Sequence, residues 1–195
     1  MESNPYQAIV IGASAGGLNA LQAVLAPLPA DFGLPILVVQ HRLPVAEDFL
    51  SFSLGELCAL VLKEADEKEP IQPGYVYLAP SNYHLLVEQD RTLSLSIDAK
   101  VCYSRPSIDV LFDTAAQTYR AGLIGIILTG ASTDGTAGMR KIKEKGGLTI
   151  AQDPATAEVA MMPLSAIREG VVDEIFALND IAPFLIQIVK EETAQ

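Results

Sequence analysis

Ile9-Val-Ile-Gly-Ala-Ser-Ala-Gly-Gly-Leu18 passes from an apolar β-branched run into a turn of small residues. The apolar pattern then resumes at helical spacing, with Leu18, Leu21, Val24 and Leu25. This predicts strand, tight turn and helix. Gly12 and Gly16 are expected to give the turn backbone angles that a Cβ would oppose. Ser14 would then sit at the carboxyl end of a strand, where the N–H groups of the following helix could stabilise an oxyanion. Two other readings fit the same residues: a phosphate-cradling nucleotide turn, or a turn of purely structural purpose. The spaced G-x-G-x-x-G, the Tyr-x-x-x-Lys pair of short-chain dehydrogenases and the P-loop Gly-Lys-Ser/Thr are all missing.

A chain of 195 residues, half of them hydrophobic, can bury one substantial core, and we expect residues 1–195 to form a single domain. No apolar run approaches the roughly 20 residues needed to span a bilayer. The short polar start, Met1 to Gln7, does not read as a signal peptide. Cys58 and Cys102 lack metal-ligand spacing and are expected to be reduced, buried thiols of a cytoplasmic protein. A formal net charge of −11 argues against nucleic-acid or anionic-lipid partners. The basic run Arg140, Lys141, Lys143 and Lys145 fits the last turns of a helix, where the macrodipole favours cations.

Further along, Pro35 to His41 reads as a buried parallel-type strand delivering His41 at its carboxyl end. Phe49 to Leu60 has the pattern of a second helix. Short strands follow at Tyr75–Pro80, His84–Glu88 and Thr92–Ile97, and residues 71–103 are expected to leave the main sheet as a β-hairpin excursion. Pro106 opens a helix over Ser107 to Tyr119. Leu123 to Leu128 is the most apolar strand; it runs into a small-residue turn and a helix beginning near Thr136, with Asp134 where that helix would have its N-cap. Leu148 to Gln152 makes another strand, followed by short helices to the C-terminus. The pattern predicts an α/β fold, a doubly wound, mostly parallel sheet of Rossmann-like three-layer form.

Three strands then end in a hydroxyl, an imidazole and a carboxylate: Ser14, His41 and Asp134. His41 could take the Ser14 proton and return it to a leaving group, with Asp134 holding the ring. The simpler reading of Asp134 alone is a helix cap, and of His41 alone a satisfied strand-end histidine.

The motifs together resemble the catalytic domain of the CheB-type chemotaxis receptor methylesterases, the protein-glutamate methylesterases. The matching pieces are Ile11-Gly-Ala-Ser-Ala-Gly-Gly17, Val39-Gln-His41, Tyr77-Leu-Ala-Pro80 with His84-Leu-Leu-Val87, and Arg105-Pro-Ser-Ile-Asp-Val-Leu-Phe112. Leu128-Thr-Gly-x-x-x-Asp-Gly135, Gln152-Asp-Pro-x-Thr-Ala157 and Met162-Pro163 follow in the family's order. The resemblance implies a serine hydrolase with the catalytic residues Ser14, His41 and Asp134. It implies oxyanion donors at the backbone amides of Ala15 and Ala131, and no metal or organic cofactor. The substrates would be glutamate γ-methyl esters on the cytoplasmic helices of methyl-accepting chemotaxis receptors, with possible deamidation of receptor glutamines. No nucleic acid and no direct membrane insertion are expected.

Three departures from the family pattern stand out. Ala131-Ser132 occupies a place often held by Met-Gly, Ala15 one often held by Thr or Ser, and Arg42-Leu43-Pro44 puts a charge after the histidine where Met-Pro is common. The receiver domain that typical members carry in cis is absent from this chain. His84 also matches a family histidine, but its place on a hairpin strand predicts a structural hydrogen bond away from the crevice. Arg42 and Arg105 could supply local positive potential toward glutamate-rich segments. Two other functions fit the residues: an esterase or amidase of this fold acting on another sensory protein, and a weakly active scaffold binding signalling helices.

Overall fold

The computed structural model describes residues 5–41 and 54–191. Nine strands are found among them: β1 (Ala8–Ala13), β2 (Ile36–Gln40), β3 (Val61–Glu64), β4 (Tyr75–Leu78), β5 (His84–Val87), β6 (Leu93–Ser96), β7 (Leu123–Ile127), β8 (Leu148–Gln152) and β9 (Glu174–Phe176). Seven form one parallel sheet in the order β3-β4-β2-β1-β7-β8-β9, while β5 and β6 pair antiparallel as a separate hairpin. The helices are α1 (Gly17–Leu25), α2 (Ile108–Tyr119), α3 (Thr136–Glu144), α4 (Met161–Arg168) and α5 (Leu178–Glu191).

The central strands are apolar throughout because both sheet faces are covered. On β1, Ile9, Ile11 and Ala13 pack with Leu21, Val24 and Leu25 of α1 and with Ile181, Ala182 and Leu185 of α5. Ala8 and Val10 point the other way, into a core shared with Leu111 and Phe112 of α2, Met139 and Ile142 of α3, and Leu85, Val87 and Leu93 of the hairpin. The result is the three-layer doubly wound fold that the sequence predicts.

From β1 the chain adds β2, then the edge strand β3, and then β4 between them, before it returns to build β7, β8 and β9 on the other side of β1. The reversal between β1 and β7 is a topological switch point, where the connections on either side diverge and leave a crevice beyond the strand ends.

Several details differ from the sequence expectations. Tyr75–Leu78 belongs to the main sheet, beside β2 and β3, so the hairpin is confined to β5 and β6. The edge strands β3 and β9 are additions to the expected sheet: β3 is at best half-buried and carries Lys63, and β9 has only three residues, so neither shows a buried apolar run. The final helix is a single 14-residue element with Pro183 inside it. Of the helix expected over 49–60, residues 49–53 lie outside the described residues; of the rest only 54–55 are helical, and the chain turns from Glu56 onward. Gly12 lies within β1, where it makes room for packing: a Cβ there would meet Ile108 Cγ2 at 2.5 Å. Gly16, with φ 75°, is the residue that takes the left-handed turn.

The basic run falls where expected, on and just after the last turn of α3. Arg140 pairs with Glu169 at 2.7 Å, Lys141 with Glu144 at 3.0 Å, and Lys143 with Asp173. Of the two cysteines expected to be buried, Cys58 is half-buried and Cys102 is exposed.

Ile9 is wholly buried in the central strand, among α1 and α5 side chains. Ile9→Ala should destabilise the fold by about 2–5 kcal/mol, read as a lower urea midpoint with an unchanged slope.

Candidate active site

Ser14 follows β1 by one residue, His41 follows β2 by one, and Asp134 lies in the turn between β7 and α3. Since β2, β1 and β7 are neighbours, all three reach the same end of the sheet. His41 Nε2 meets Asp134 Oδ2 at 2.7 Å. Ser14 and His41 line one cavity of about 410 Å³ together with Asn82, Lys100, Tyr103, Arg105 and Ala131. The Ser14 hydroxyl makes no hydrogen bond to His41 in this structure; with Nε2 committed to Asp134, Nδ1 is the imidazole nitrogen left for it.

Asp134 is not the N-cap of its own helix. Gly135, with φ 99°, occupies that position in α3. Asp134 instead receives the start of α2: the Ser107 hydroxyl donates to Oδ1 at 2.8 Å, the Asp109 N–H to Oδ1 at 3.0 Å, and the Ile108 N–H to Oδ2 at 2.8 Å. The service is returned. Asp109, in the first turn of α2, accepts from the Gly135 N–H at 2.9 Å and the Gly138 N–H at 2.7 Å at the start of α3. Two adjacent helices thus exchange N-terminal caps, each supplying an anion where the other's macrodipole is positive. Gly138 permits the approach, since a Cβ there would come within 3.3 Å of the Asp109 Cα.

The electrostatics separate the two carboxylates. Burial pushes Asp134 up, but its hydrogen bonds from His41, Asp109, Ile108 and Ser107 outweigh that and hold it below the usual range. Burial pushes Asp109 above its usual range; two N–H groups oppose this and the neighbouring Asp134 charge adds to it. Asp134 is therefore the ionised partner for His41.

Small-residue turns and a glutamine register the serine against its neighbours. The Ser14 N–H donates to Thr129 O at 2.9 Å, and the Thr129 hydroxyl donates to Ala15 O at 2.8 Å. Gly130 brings the β7 turn so close that a Cβ on it would lie 2.8 Å from Ser14 Cβ. Gln40 Nε2 donates to both Ser14 O and His41 O at 2.8 Å. Ala131 lines the cavity and Ala15 is the exposed residue next to Ser14; neither N–H donates a hydrogen bond among the described residues. The sequence reading missed the roles of Gln40, Ser107 and Asp109, although all three lie inside motifs it quoted.

His84 is not remote from the crevice. It is buried, its Nδ1 accepts from the Ser107 N–H at 3.2 Å, and its Nε2 donates to Ala99 O at 3.1 Å. The expected structural hydrogen bond is present, but it abuts the residue that anchors Asp134. Arg105 holds Asn82 Oδ1 at 2.9 Å and the carbonyls of Ile97 and Asp98 at 2.6 and 2.9 Å. Arg42, with Leu43 and Pro44, lies outside the described residues.

Cys102, Asp109 and Asp134 are the described residues whose ligand atoms come close enough together to consider a cation. Asp134 already accepts four hydrogen bonds and Asp109 Oδ1 accepts two, so the donor set is spent on N–H and O–H groups. Burial, followed by the Asp134 and Asp109 charges, raises the Cys102 pKa, which disfavours the thiolate a metal would need.

Comparison with known proteins follows the same outline. The profile of the family described as CheB methylesterase matches residues 9–185. A Leptospira interrogans protein is 52% identical over 190 residues, covering 97% of this chain and 98% of its own length; its name gives protein-glutamate methylesterase/protein-glutamine glutaminase as a provisional assignment. The Thermotoga maritima protein-glutamate methylesterase/protein-glutamine glutaminase is 39% identical over 184 residues, 93% of this chain and 54% of that protein. The chain thus spans about half the length of that relative. The crystal structure of the Thermotoga maritima CheB methylesterase catalytic domain superposes with a TM-score of 0.91 at 37% identity, covering 94% of this chain and 99% of that one.

Two outcomes follow from the exchanged caps. Asp109→Ala should lower stability by about 1–2 kcal/mol, and Asp109→Asn, which keeps an oxygen for Gly135 and Gly138, should recover most of it in the same urea titration. The folded pKa of Asp134 lies below its unfolded value, so its stabilisation is complete above the unfolded value and is lost as pH falls through the folded one. Asp109, raised, acts in the opposite sense. Asp134→Asn should therefore be about 1–3 kcal/mol less stable at pH 7, with the gap to wild type narrowing below about pH 4.

Proposed function

Since this chain belongs to the CheB methylesterase family, we propose that it hydrolyses glutamate γ-methyl esters of chemotaxis receptors and releases methanol. By the same chemistry it deamidates receptor glutamines. The observation that carries the reading is the His41 Nε2–Asp134 Oδ2 bond at 2.7 Å, with the carboxylate buried and anchored and Ser14 opening into the same cavity as His41. In this reading residues 1–195 act as one catalytic domain in the cytoplasm, where the receptors' methylated helices lie. No helix among the described residues is long and apolar enough to cross a membrane.

The roles follow from which atoms are already committed. Asp134 stabilises the imidazolium and keeps the proton of the neutral ring on Nε2, which leaves Nδ1 as the base for Ser14. Ser14 Oγ attacks the ester carbonyl while its proton passes to His41. The oxyanion takes the N–H groups of Ala15 and Ala131, each worth on the order of 10²–10³ in rate. Collapse expels methanol, which leaves with the proton from His41. Water then attacks the acyl-enzyme and gives one proton to His41; collapse breaks the Ser14 Oγ–acyl bond, Ser14 recovers the proton from His41, and the glutamic acid formed departs and ionises in water. With a glutamine substrate the first leaving group is ammonia.

The Ala131-Ser132 turn supports this reading despite its side-chain differences, because the donor it supplies is a backbone group. Methanol release from methylated receptor membranes tests the proposal. Wild type should turn over, Ser14→Ala should lose essentially all turnover, and no release by folded wild type would overturn the reading.

A further inference from the structure

Residues 97–105 run from the end of β6 to the start of α2 as a strap along the cavity mouth. Three of the eight exposed large hydrophobics among the described residues fall within these nine positions: Ile97 at 71%, Val101 at 36% and Tyr103 at 97% exposure. Three apolar side chains exposed on one short segment beside the cavity, Tyr103 among its lining, offer a contact surface for a partner. The strap is also firmly built. Val101 and Ser104 exchange both backbone hydrogen bonds across a two-residue turn, at 3.2 and 2.9 Å. The turn places Cys102 and Tyr103 at φ 48° and 63°. Those are positions that glycine or asparagine normally fills. Left-handed backbone is thus spent on holding an aromatic ring out into water beside Ser14.

Much of the strap's backbone is already committed. The carbonyls of Ile97 and Asp98 accept from Arg105, Ala99 O from His84, and Val101 and Ser104 satisfy each other. The Asp98 N–H donates to Ser96 Oγ at 3.0 Å. An extended peptide bound by β-augmentation would need those groups free. A partner here meets side chains instead, which suits a segment whose own backbone is already satisfied, that is, a helix.

The charge of the partner follows from the lining. The protein carries −11, yet the charged side chains among the described cavity-lining residues are Lys100 and Arg105, with no carboxylate. Lys100 has no ion-pair partner among the described residues. Arg105 is held by neutral oxygens, so its charge is not cancelled. Asp98 is the carboxylate on the strap, and it does not line the cavity.

We propose that the strap 97–105 docks an acidic amphipathic helix of the substrate protein. The Tyr103 ring and the Ile97 and Val101 side chains meet its apolar residues, and Lys100 meets its carboxylates. A long esterified side chain projecting from that helix then reaches Ser14. This names the recognition surface for the methylesterase reading and rests on that reading.

The test is equilibrium binding of a fluorescein-labelled acidic amphipathic peptide, roughly 20 residues long so that it holds helix and free of ester. Tyr103→Asn removes the ring while suiting the left-handed backbone, and Lys100→Glu reverses the charge; each should weaken binding about tenfold, the second more at low salt. A peptide interrupted by a central proline should weaken similarly. Ile175→Ser, at an exposed hydrophobic on edge strand β9, should bind as wild type does. Wild-type-like affinity in both strap variants, equal binding of the proline-bearing peptide, or no binding by wild type would overturn the proposal. Hydrolysis of a small glutamate γ-methyl ester by wild type is scored separately. Its failure strikes the methylesterase reading alone and leaves helix docking to be decided by the titration.

Discussion

A buried carboxylate must be met by donors, and the four that meet Asp134 tie together three parts of the chain. His41 comes from the end of β2, Ser107, Ile108 and Asp109 from the start of α2, and Asp134 itself from the turn after β7. An unpaired anion in this position would be expensive, and the expense would fall on the fold as a whole. The folded arrangement avoids it by bringing a helix N-terminus onto the anion. Asp109 completes the bargain from the other side, holding the N-terminus of α3 while α2 holds Asp134. His41 is thereby oriented by a group that is itself fixed on both oxygens, which suits the general base proposed above.

The sheet order makes this meeting possible. β1 lies between β2 and β7, and the chain changes direction between β1 and β7. β1 and β7 end in small residues because their turns crowd one another: Gly130 approaches Ser14, while Gln40 at the end of β2 crosses between the Ser14 and His41 carbonyls. A larger residue at position 130 would have to push the serine aside.

The second histidine illustrates how the site and its rim are linked. His84 binds the Ser107 N–H through one nitrogen and the Ala99 carbonyl through the other. It therefore joins the residue that anchors Asp134 to the strap that borders the cavity. Arg105 adds three further contacts to Asn82, Ile97 and Asp98 from its place just before α2. The mouth of the site is thus fixed to its floor, and the exposed groups on the strap are presented in a defined position.

Sequence by itself determined the strands β1, β2, β7 and β8, the amphipathic helices α1 and α2, the doubly wound fold, and that Ser14, His41 and Asp134 lie at or beyond the ends of neighbouring strands. Each of these rests on local pattern: a β-branched run, a 3.6-residue period, or a polar residue where an apolar run stops. Tertiary structure alone decided that Tyr75–Leu78 joins the main sheet, that Asp134 caps α2 in place of its own helix, and that Asp109 repays it. Edge strands such as β9 escaped because their pairing, not their composition, makes them strands. The physical reason is the same throughout. A periodic pattern records which face of a segment is buried, whereas a hydrogen bond between residues 25 or more positions apart depends on where folding puts both ends, and no local pattern encodes that distance.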